Sequence, residues 1–170
     1  EQLLYEGTIT KENLFIPQPL AEKYILNTHC KAYWHKLQTL QLTRKEERRT
    51  GFPLSAELVL REITIAQGTI DAALFALQYG VAMNIAGGTQ HAFTDRGEGF
   101  CLLNDIAIAA NYLLEKGLVK QVLVIDLDVH QGNGTAEIFR NQNKVFTFSM
   151  HGAKNYPLKK EISDLDIGLE

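Results

Sequence analysis

The stretch VLVIDLDVHQGNG, residues 122 to 134, decides the fold of this chain. It begins as an apolar, β-branched run, which is typical of a buried strand in a parallel sheet. It then carries three polar residues spaced by two, Asp126, Asp128 and His130. Because alternate side chains of a strand share a face, this spacing predicts that the three converge at the carboxyl end of the strand, with ligand atoms suited to a divalent ion.

A second interpretation of the same residues needs no metal. Asp126 and Asp128 would cap the following helix, and His130 would make an ordinary polar contact. Spacing alone leaves both interpretations open. The apolar run before them favours the metal, since an ionised carboxylate at the end of a buried strand is costly unless it is paired or coordinated.

The segments around this strand predict an α/β fold. Residues 81–88 are interpreted as a short buried strand, 105–117 as a helix capped by Asn104, 134–143 as a short helix and 144–151 as a further strand. The order strand, helix, strand, helix, strand over residues 81–150 is typical of a mainly parallel sheet. Functional side chains are then expected at the carboxyl ends of the strands.

The first half of the chain is predicted to be mostly helical. Residues 21–40 are interpreted as helix, the charged run RKEERRTG at 44–51 as a solvated loop, and the apolar-periodic stretch after Ser55 as a long helix ending at Gly80. Gly68 is a candidate for a bend or break in that long helix.

The glycine-rich segment GGTQHAFTDRGEGF, residues 87 to 100, is a second candidate for chemistry. A histidine at a strand end, here His91, is suited to moving a proton near neutral pH. The amide oxygen of Asn133 could accept a hydrogen bond from His91 and orient its ring. The alternatives are an ordinary turn around His91 and a plain helix cap at Asn133.

The composition of the chain indicates which classes of partner and which location to expect. The net charge of −3 and the scattered basic residues provide no extended basic stripe, so direct nucleic-acid binding is not expected. The two cysteines, Cys30 and Cys101, form no disulfide framework, which favours a reducing, cytoplasmic location. The sequence has no run of about eighteen apolar residues, so no membrane span is predicted. Cys101 is interpreted as a buried structural thiol, and His29 and His35 as packing or surface residues.

Taken together, the motifs resemble the zinc-dependent histone deacetylase family of the arginase/deacetylase fold. GGTQHA is similar to the family's GG-x-HHA, GFCLLND to GFC-x-x-ND, and DLDVHQGNG to D-x-D-x-HHG-[DN]-G. The resemblance covers residues 51–157 well and is greatest to class IV deacetylases and their bacterial relatives. It implies a three-layer α/β/α fold with a mainly parallel sheet, and makes residues 1–170 a partial domain, incomplete at both ends.

The resemblance also implies metal ligands. Asp128 and His130 match zinc ligands of the family. Asp126 and the Ser149 hydroxyl match a site for a structural potassium or sodium ion, completed by the backbone carbonyls of Asp128, His130 and Met150. A second such site in the family matches the carbonyls of Phe139, Gln142 and Val145.

The catalytic residues implied by the resemblance lie in the same motifs. His91 matches the general base that activates the attacking water, and Asn133 the residue that orients this base. The predicted acyl-lysine channel is formed by Gly99, Phe100 and Tyr156.

Three departures from the family pattern bear on activity. Gln90 replaces the first histidine of the family's pair, and glutamine can donate a hydrogen bond to an oxyanion but cannot carry a proton. The family's third zinc ligand, an aspartate, and its carbonyl-polarising tyrosine are expected beyond Glu170. A substrate-gripping aspartate has no match near residues 51–53.

The sequence therefore predicts a zinc-dependent amidohydrolase that removes acetyl or longer acyl groups from lysine or a small amine. One alternative is a catalytically impaired, deacetylase-like binding or regulatory module, which Gln90 and the missing third ligand favour. Another is a dimanganese ureohydrolase-like enzyme of the same fold, which would require a D-x-H-x-D order instead of D-x-D-x-H. The oligomeric state is left open.

Overall fold

The computed structural model describes residues 2–170, in which helices precede a small sheet. The helices are α1 (Gln2–Tyr5), a 3-10 helix (Lys11–Asn13), α2 (Glu22–Leu26), α3 (Lys31–Gln38), α4 (Arg44–Thr50), α5 (Ala56–Tyr79), α6 (Asp105–Glu115) and α7 (Asn133–Phe139). The strands are β1 (Val122–Asp126), β2 (Val145–Gly152) and β3 (Leu165–Leu169).

The sheet is parallel throughout, in the order β1-β2-β3. This confirms the predicted parallel arrangement. On one face of the sheet, Val124 and Val145 are buried against Phe139 of α7 and apolar residues of α6. Residues 2–170 leave the opposite face open, where Leu123 and Ile125 are 59% and 58% exposed. The helical layer thus covers the same face from which Asp126 projects at the end of β1.

Helix α5 is one unbroken helix of 24 residues, so Gly68 does not split it. The Ser55 hydroxyl caps its start by accepting a hydrogen bond from the Leu58 amide, and Gly80 ends it as predicted. A Cβ at Gly68 would lie 3.1 Å from Asn84 Nδ2, so the glycine admits a neighbouring loop instead of breaking the helix. None of the helices in the described residues is both long and apolar enough to cross a membrane.

The prediction of a buried strand at residues 81–88 is wrong. This segment is a loop in which Val81 and Ile85 are about 80% exposed. The Asn84 amide donates hydrogen bonds to the Ile65 carbonyl and to the Thr69 hydroxyl, at 2.9 and 2.7 Å. The Asn84 side chain therefore anchors this loop to α5, and none of the described strands lies beside its apolar residues.

The third strand, β3, lies instead near the end of the described chain and was not predicted. Its five residues are exposed, and Gly168 interrupts the β-branched pattern that indicates a strand. Gln131 holds the approach to β3 in place. Its side-chain amide donates to the Glu161 carbonyl and to Asp166, and its oxygen accepts from the Glu161 amide, all at 2.8 Å.

The interpretation of RKEERRTG as a solvated loop is also wrong, because residues 44–50 form helix α4. Thr43 and Glu46 form a capping box, in which each side chain bonds to the backbone of the other residue. Gly51 ends the helix in the left-handed conformation, with φ of +80°. Both the capping box and the terminal glycine are present in the sequence, but the high density of charged residues favoured a solvated loop.

The helix predicted over residues 21–40 is two helices, α2 and α3. The break lies at residues 27–30, where His29 turns into the core and the Cys30 amide donates to the Thr94 carbonyl at 2.8 Å. The ring of His29 bonds to the Phe93 carbonyl and accepts from the Asn104 amide. Its burial lowers the pKa of His29 to about 4, so the ring is neutral at physiological pH. This agrees with its predicted packing role.

Glu62 of α5 is a buried carboxyl whose removal should stabilise the fold at neutral pH. Its side chain is 3% exposed, and its Oε2 atom has no hydrogen-bond partner among residues 2–170. Burial raises the pKa of Glu62 above 4.5, outweighing the nearby charge of Arg61. A raised folded-state pKa means that stability falls as the pH rises above 4.5, since the unfolded chain ionises first.

We therefore expect Glu62→Gln to raise the free energy of unfolding by about 1 kcal/mol at pH 8, with no gain at pH 4. Urea unfolding at the two pH values measures this difference. Glu57→Gln, on the exposed first turn of the same helix, is the control and should give no gain. An equal gain from both variants would show that net charge, not burial, is the cause.

Candidate active site

Of the three polar residues after the β1 run, Asp128 and His130 come together, whereas Asp126 does not join their cluster. The strand ends at Asp126, and Asp128 and His130 lie in the loop that follows. Asp126 Oδ1 accepts a hydrogen bond from the Asp128 amide at 2.9 Å, and Asp128 Oδ1 accepts from the His130 amide at 2.7 Å. Two successive carboxylate turns thus fold the loop. Neither aspartate caps the following helix as the second interpretation expected, because the residue before α7 is Gly132 and no side chain caps it.

His91, Asp128 and His130 form one cluster. One ligand atom of each lies within 4.8 Å of the other two, and no other such group of His, Cys, Asp or Glu is found among residues 2–170. Asp128 Oδ1 lies 3.1 Å from His130 Nδ1. Their side chains are 45% and 43% exposed, whereas His91 is 6% exposed. Asp128 and His130 supply a carboxylate oxygen and an imidazole nitrogen, donors that suit zinc, so the two predicted ligands fit the predicted metal.

The predicted contact between His91 and Asn133 is present. His91 Nδ1 lies 2.7 Å from Asn133 Oδ1, and both side chains are buried. Because an amide oxygen only accepts, Nδ1 carries a proton in this contact, and in the neutral ring Nε2 is then the nitrogen with the lone pair. Asn133 is the first residue of α7, so the start of this helix sets the direction of the His91 ring.

The backbone around His91 is fixed by buried side chains. Asn104 Nδ2 donates to the Ala92 carbonyl at 3.1 Å and to the Thr135 hydroxyl at 3.0 Å, while its oxygen caps α6. The Gln90 carbonyl accepts from the Thr135 amide at 3.1 Å. One buried amide therefore joins the His91 segment to the starts of both α6 and α7.

A second anchor lies just before this segment. The buried carboxylate of Asp105 accepts hydrogen bonds from the backbone amides of Gly88 and Thr89, at 3.1 and 2.7 Å, and from the hydroxyls of Thr89 and Thr69. The glycine-rich turn is thus tied to the first residue of α6. This explains why residues 87–89 form a loop there.

Gln90 and Asp126 lie close together but do not bond. In residues 2–170 the Gln90 side chain makes no hydrogen bond, and Asp126 Oδ2 is buried without a partner. A Cβ at Gly132 would contact Asp126 Oδ2 and lie 3.6 Å from Gln90 Cβ. Burial raises the pKa of Asp126 above its ordinary value. The unpartnered oxygen is an available acceptor, which the predicted monovalent cation would use.

The other groups assigned to monovalent cations are placed as follows. Ser149 lies opposite Asp126 in the pairing of β1 with β2, and its hydroxyl bonds to His151 Nδ1 at 2.9 Å. The carbonyls of Phe139 and Gln142 accept the backbone amides of Gln142 and Val145. Both cation sites stay predictions.

Two of the predicted channel residues, Tyr156 and Gly99, lie beside the cluster. The ring of Tyr156 meets His91 and His130 edge-on, with centroid distances of 5.2 and 5.9 Å. Gly99 packs so closely on His91 that an added Cβ would lie 2.9 Å from the ring. Phe100 is 66% exposed and packs edge-on against Phe52.

The turn that presents Phe100 is supported by α4. Phe100 has a φ of 65°, an uncommon value for a residue other than glycine. The Gly99 and Phe100 amides donate to the carbonyls of Arg49 and Thr50, at 3.1 and 2.9 Å. The end of the helix that the sequence interpretation missed thus positions the candidate channel.

Sequence reasoning also missed Glu98, which lies between Tyr156 and Asn133. Glu98 Oε1 accepts from the Tyr156 hydroxyl at 2.6 Å and from Asn133 Nδ2 at 3.4 Å. Burial and this hydrogen bond raise the pKa of Tyr156. A lone glutamate in a glycine-rich turn resembles a solvated residue, so the sequence carried no clear signal for it.

Cys101 does not join the site. Its thiol is buried, bonds to the Gly99 carbonyl at 3.4 Å, and has its pKa raised to about 12 by burial. A thiol so weakly acidic is a poor nucleophile, which agrees with a structural role.

Comparison with known proteins agrees with the sequence motifs. A sequence model of the histone deacetylase domain matches residues 1–169. An uncharacterized protein of Picosynechococcus sp. is 47% identical over 167 residues, which are 98% of this chain and 56% of that protein. Histone deacetylase 2 of Arabidopsis thaliana is 39% identical over 90 residues, covering 53% of this chain and 23% of that protein.

Solved structures give the same result. A histone deacetylase homologue from Aquifex aeolicus matches with a TM-score of 0.78 and 25% identity, over 95% of this chain and 49% of that one. A homologue in complex with SAHA matches equally well. These matches confirm the predicted arginase/deacetylase-like fold class. The chain spans about half the length of these structures and of the Picosynechococcus protein.

Proposed function

Because this chain belongs to the histone deacetylase family, whose members are deacetylases, we propose that it contributes metal-binding and proton-transfer residues to a zinc-dependent amidohydrolase. The proposed reaction removes acetyl or longer acyl groups from lysine or from a small amine. In this proposal Asp128 and His130 hold zinc, His91 is the general base, and residues 1–170 form part of one deacetylase domain.

One observation carries the proposal. A buried histidine, His91, has its Nδ1 atom bound to Asn133 and a ligand atom within 4.8 Å of those of Asp128 and His130. A ring fixed in this way presents an unprotonated nitrogen beside a metal-binding pair. That combination suits hydrolysis better than metal storage or simple structural binding.

Zinc bound at this site would polarise the amide carbonyl and lower the pKa of the attacking water. His91 takes the proton of that water at Nε2 while Nδ1–H stays bonded to Asn133. The same nitrogen later gives the proton to the leaving amine. Tyr156 packs edge-on against the rings of His91 and His130, on one side of the proposed proton-transfer path.

The proposed substrate is an acylated lysine or a small acylated amine. Support comes from the aromatic side chains beside the cluster, Tyr156 and Phe100, which suit an alkyl chain, and from the similar structure that holds SAHA. A cytoplasmic location stays a prediction from the two free cysteines.

One observation favours a second function, a catalytically impaired binding module. The Gln90 side chain and Asp126 Oδ2 lack hydrogen-bond partners in the described residues. Gln90 therefore does not replace the bond that a histidine at position 90 is expected to make to Asp126. Such a protein would retain the metal and the aromatic walls but bind acylated amines without rapid turnover.

Metal analysis and acyl-lysine hydrolysis on the full-length protein separate the two functions. The hydrolase proposal expects about one zinc per chain and release of acetate or fatty acid. A binding module would hold zinc without product release. If the protein binds no zinc and releases no product, the hydrolase proposal fails.

Gln90→His is expected to increase hydrolysis about tenfold, because a histidine can bond to Asp126 and carry a proton. Steady-state kinetics with an acetyl-lysine peptide measure the change. Gln121→His, on the exposed residue before β1, is the matched control and should have no effect. Unchanged turnover in the Gln90 variant would mean that His91 alone handles the proton.

A further inference from the structure

The direction of the Asn133 side-chain amide is chosen by its neighbours. Its oxygen faces His91 Nδ1 at 2.7 Å, and its nitrogen faces Glu98 Oε1 at 3.4 Å. Asn133 is 2% exposed, so water does not share these contacts freely. The two contacts therefore decide together which end of the amide points at the histidine.

Of the two neighbours, only the Glu98 carboxylate favours one orientation of the Asn133 amide over the other. The ring of His91 accepts either end of an amide, because it can carry its proton on Nδ1 or on Nε2. A carboxylate accepts hydrogen bonds but cannot donate them, so it rejects the amide oxygen and bonds to the amide nitrogen. With Glu98 present, the flipped amide would place its oxygen against a negative charge.

Glu98 is itself held in place. Its Oε1 atom accepts from the Tyr156 hydroxyl at 2.6 Å, and its Oε2 atom lies 3.5 Å from Arg96 Nε. The side chain is 19% exposed, and Arg96 in turn lies over the Phe93 ring at 3.6 Å. Tyr156 and Arg96 thus hold the carboxylate next to Asn133.

We propose that Glu98 is a positioning residue that selects the His91 tautomer through Asn133. Glu98 holds the amide nitrogen, the amide oxygen then requires Nδ1–H on His91, and Nε2 keeps the lone pair that accepts a proton. The selection itself is a property of the protein at rest. Its consequence for catalysis rests on the proposed function.

The first test reads the tautomer directly, by long-range ¹H–¹⁵N NMR of histidine-labelled, metal-free, full-length protein. The His91 signals are identified from their loss in His91→Ala. The native protein should show only the Nδ1–H form. Glu98→Gln should populate the Nε2–H form as well, because a glutamine can present an oxygen or a nitrogen to Asn133.

Asp95→Asn is the matched control. It makes the same change of a carboxylate to an amide in the same loop, on a side chain that bonds to Arg96 and is 64% exposed. It should leave the His91 tautomer as in the native protein. A folded Glu98→Gln protein, verified by circular dichroism, that keeps Nδ1–H alone overturns the proposal, whether or not the protein is a hydrolase.

The second test uses Asn133→Asp. An aspartate at position 133 accepts with either oxygen, so His91 is held as Nδ1–H without help from Glu98. We expect Glu98→Gln to lower kcat about tenfold in the native background but less than twofold in the Asn133→Asp background. A purely structural role for Glu98 predicts the same loss in both backgrounds, and that result would also overturn the proposal.

The same double variant covers the case in which Glu98→Gln alone does not fold. The Asn133→Asp protein would hold two carboxylates in contact, the new one and that of Glu98. Adding Glu98→Gln should therefore raise the melting temperature of the Asn133→Asp protein. A fall in melting temperature would show that the two side chains are not coupled as proposed, independently of any activity.

Discussion

Replacing His91 with alanine is expected to lower amide hydrolysis by about a thousandfold while zinc stays bound. The reason is the division of roles within one cluster. Asp128 and His130 follow one another in the same loop, whereas His91 comes from another segment and has Nδ1 committed to Asn133. Removing the ring deletes the proton acceptor but keeps the proposed metal ligands.

Measuring zinc content and turnover together distinguishes a general base from a metal ligand at His91. If zinc is lost together with activity, His91 is a ligand and not the base. If turnover persists, another group moves the proton. His35→Ala is the control, since His35 is exposed on α3 and far from this cluster in sequence, and it should change neither reading.

The second large effect is expected on stability, from Gly134→Ala. An added Cβ would lie 2.6 Å from the Ala92 carbonyl carbon and 2.7 Å from the Gln90 carbonyl oxygen. Both are backbone atoms of the segment that carries His91, so neither can move aside as a flexible side chain does. We expect a loss of about 3 kcal/mol in the free energy of unfolding, measured by urea denaturation.

Gly117→Ala separates this clash from ordinary backbone strain. Gly117 has a φ of +63° but open space around its Cα, so alanine should cost only about 1 kcal/mol there. Equal losses at the two positions would mean that α7 can shift away from residues 90–92. In that case the hydrolysis rate of the Gly134 variant would report how far the shift displaces Asn133.

The residues that carry chemistry were the easiest part to predict from the sequence. The predicted His91 to Asn133 contact and the buried Cys101 thiol are both present. The structure also groups His91 with Asp128 and His130, whereas spacing alone predicted that Asp126 would join those two. Their roles in catalysis and metal binding stay predictions.

The sequence was less informative where polar side chains bond to irregular backbone. The apolar run at 81–88 predicted a strand, but Asn84 and Asp105 bind this region as a loop. The charged run at 44–51 predicted a loop, although Thr43 and Glu46 form a capping box. Hydrophobic periodicity indicates which residues are buried, but it does not predict hydrogen bonds from side chains to the backbone.

Glu98 illustrates the same limit within the site. Its partners, Tyr156 and Asn133, are 58 and 35 residues away in the chain. No spacing rule links residues so distant, and a glutamate between two glycines resembles a surface residue. Only the folded arrangement shows that its carboxylate acts on the amide beside His91.

The anchoring of position 90 has a consequence for how reactivity can change in this scaffold. Its carbonyl is bonded to the start of α7, while its side chain forms no hydrogen bond in residues 2–170. The hydrogen bond that anchors the backbone beside His91 therefore does not depend on which side chain occupies position 90. Evolution or a protein engineer can exchange the uncharged Gln90 for a basic group that pairs with Asp126 without breaking that bond.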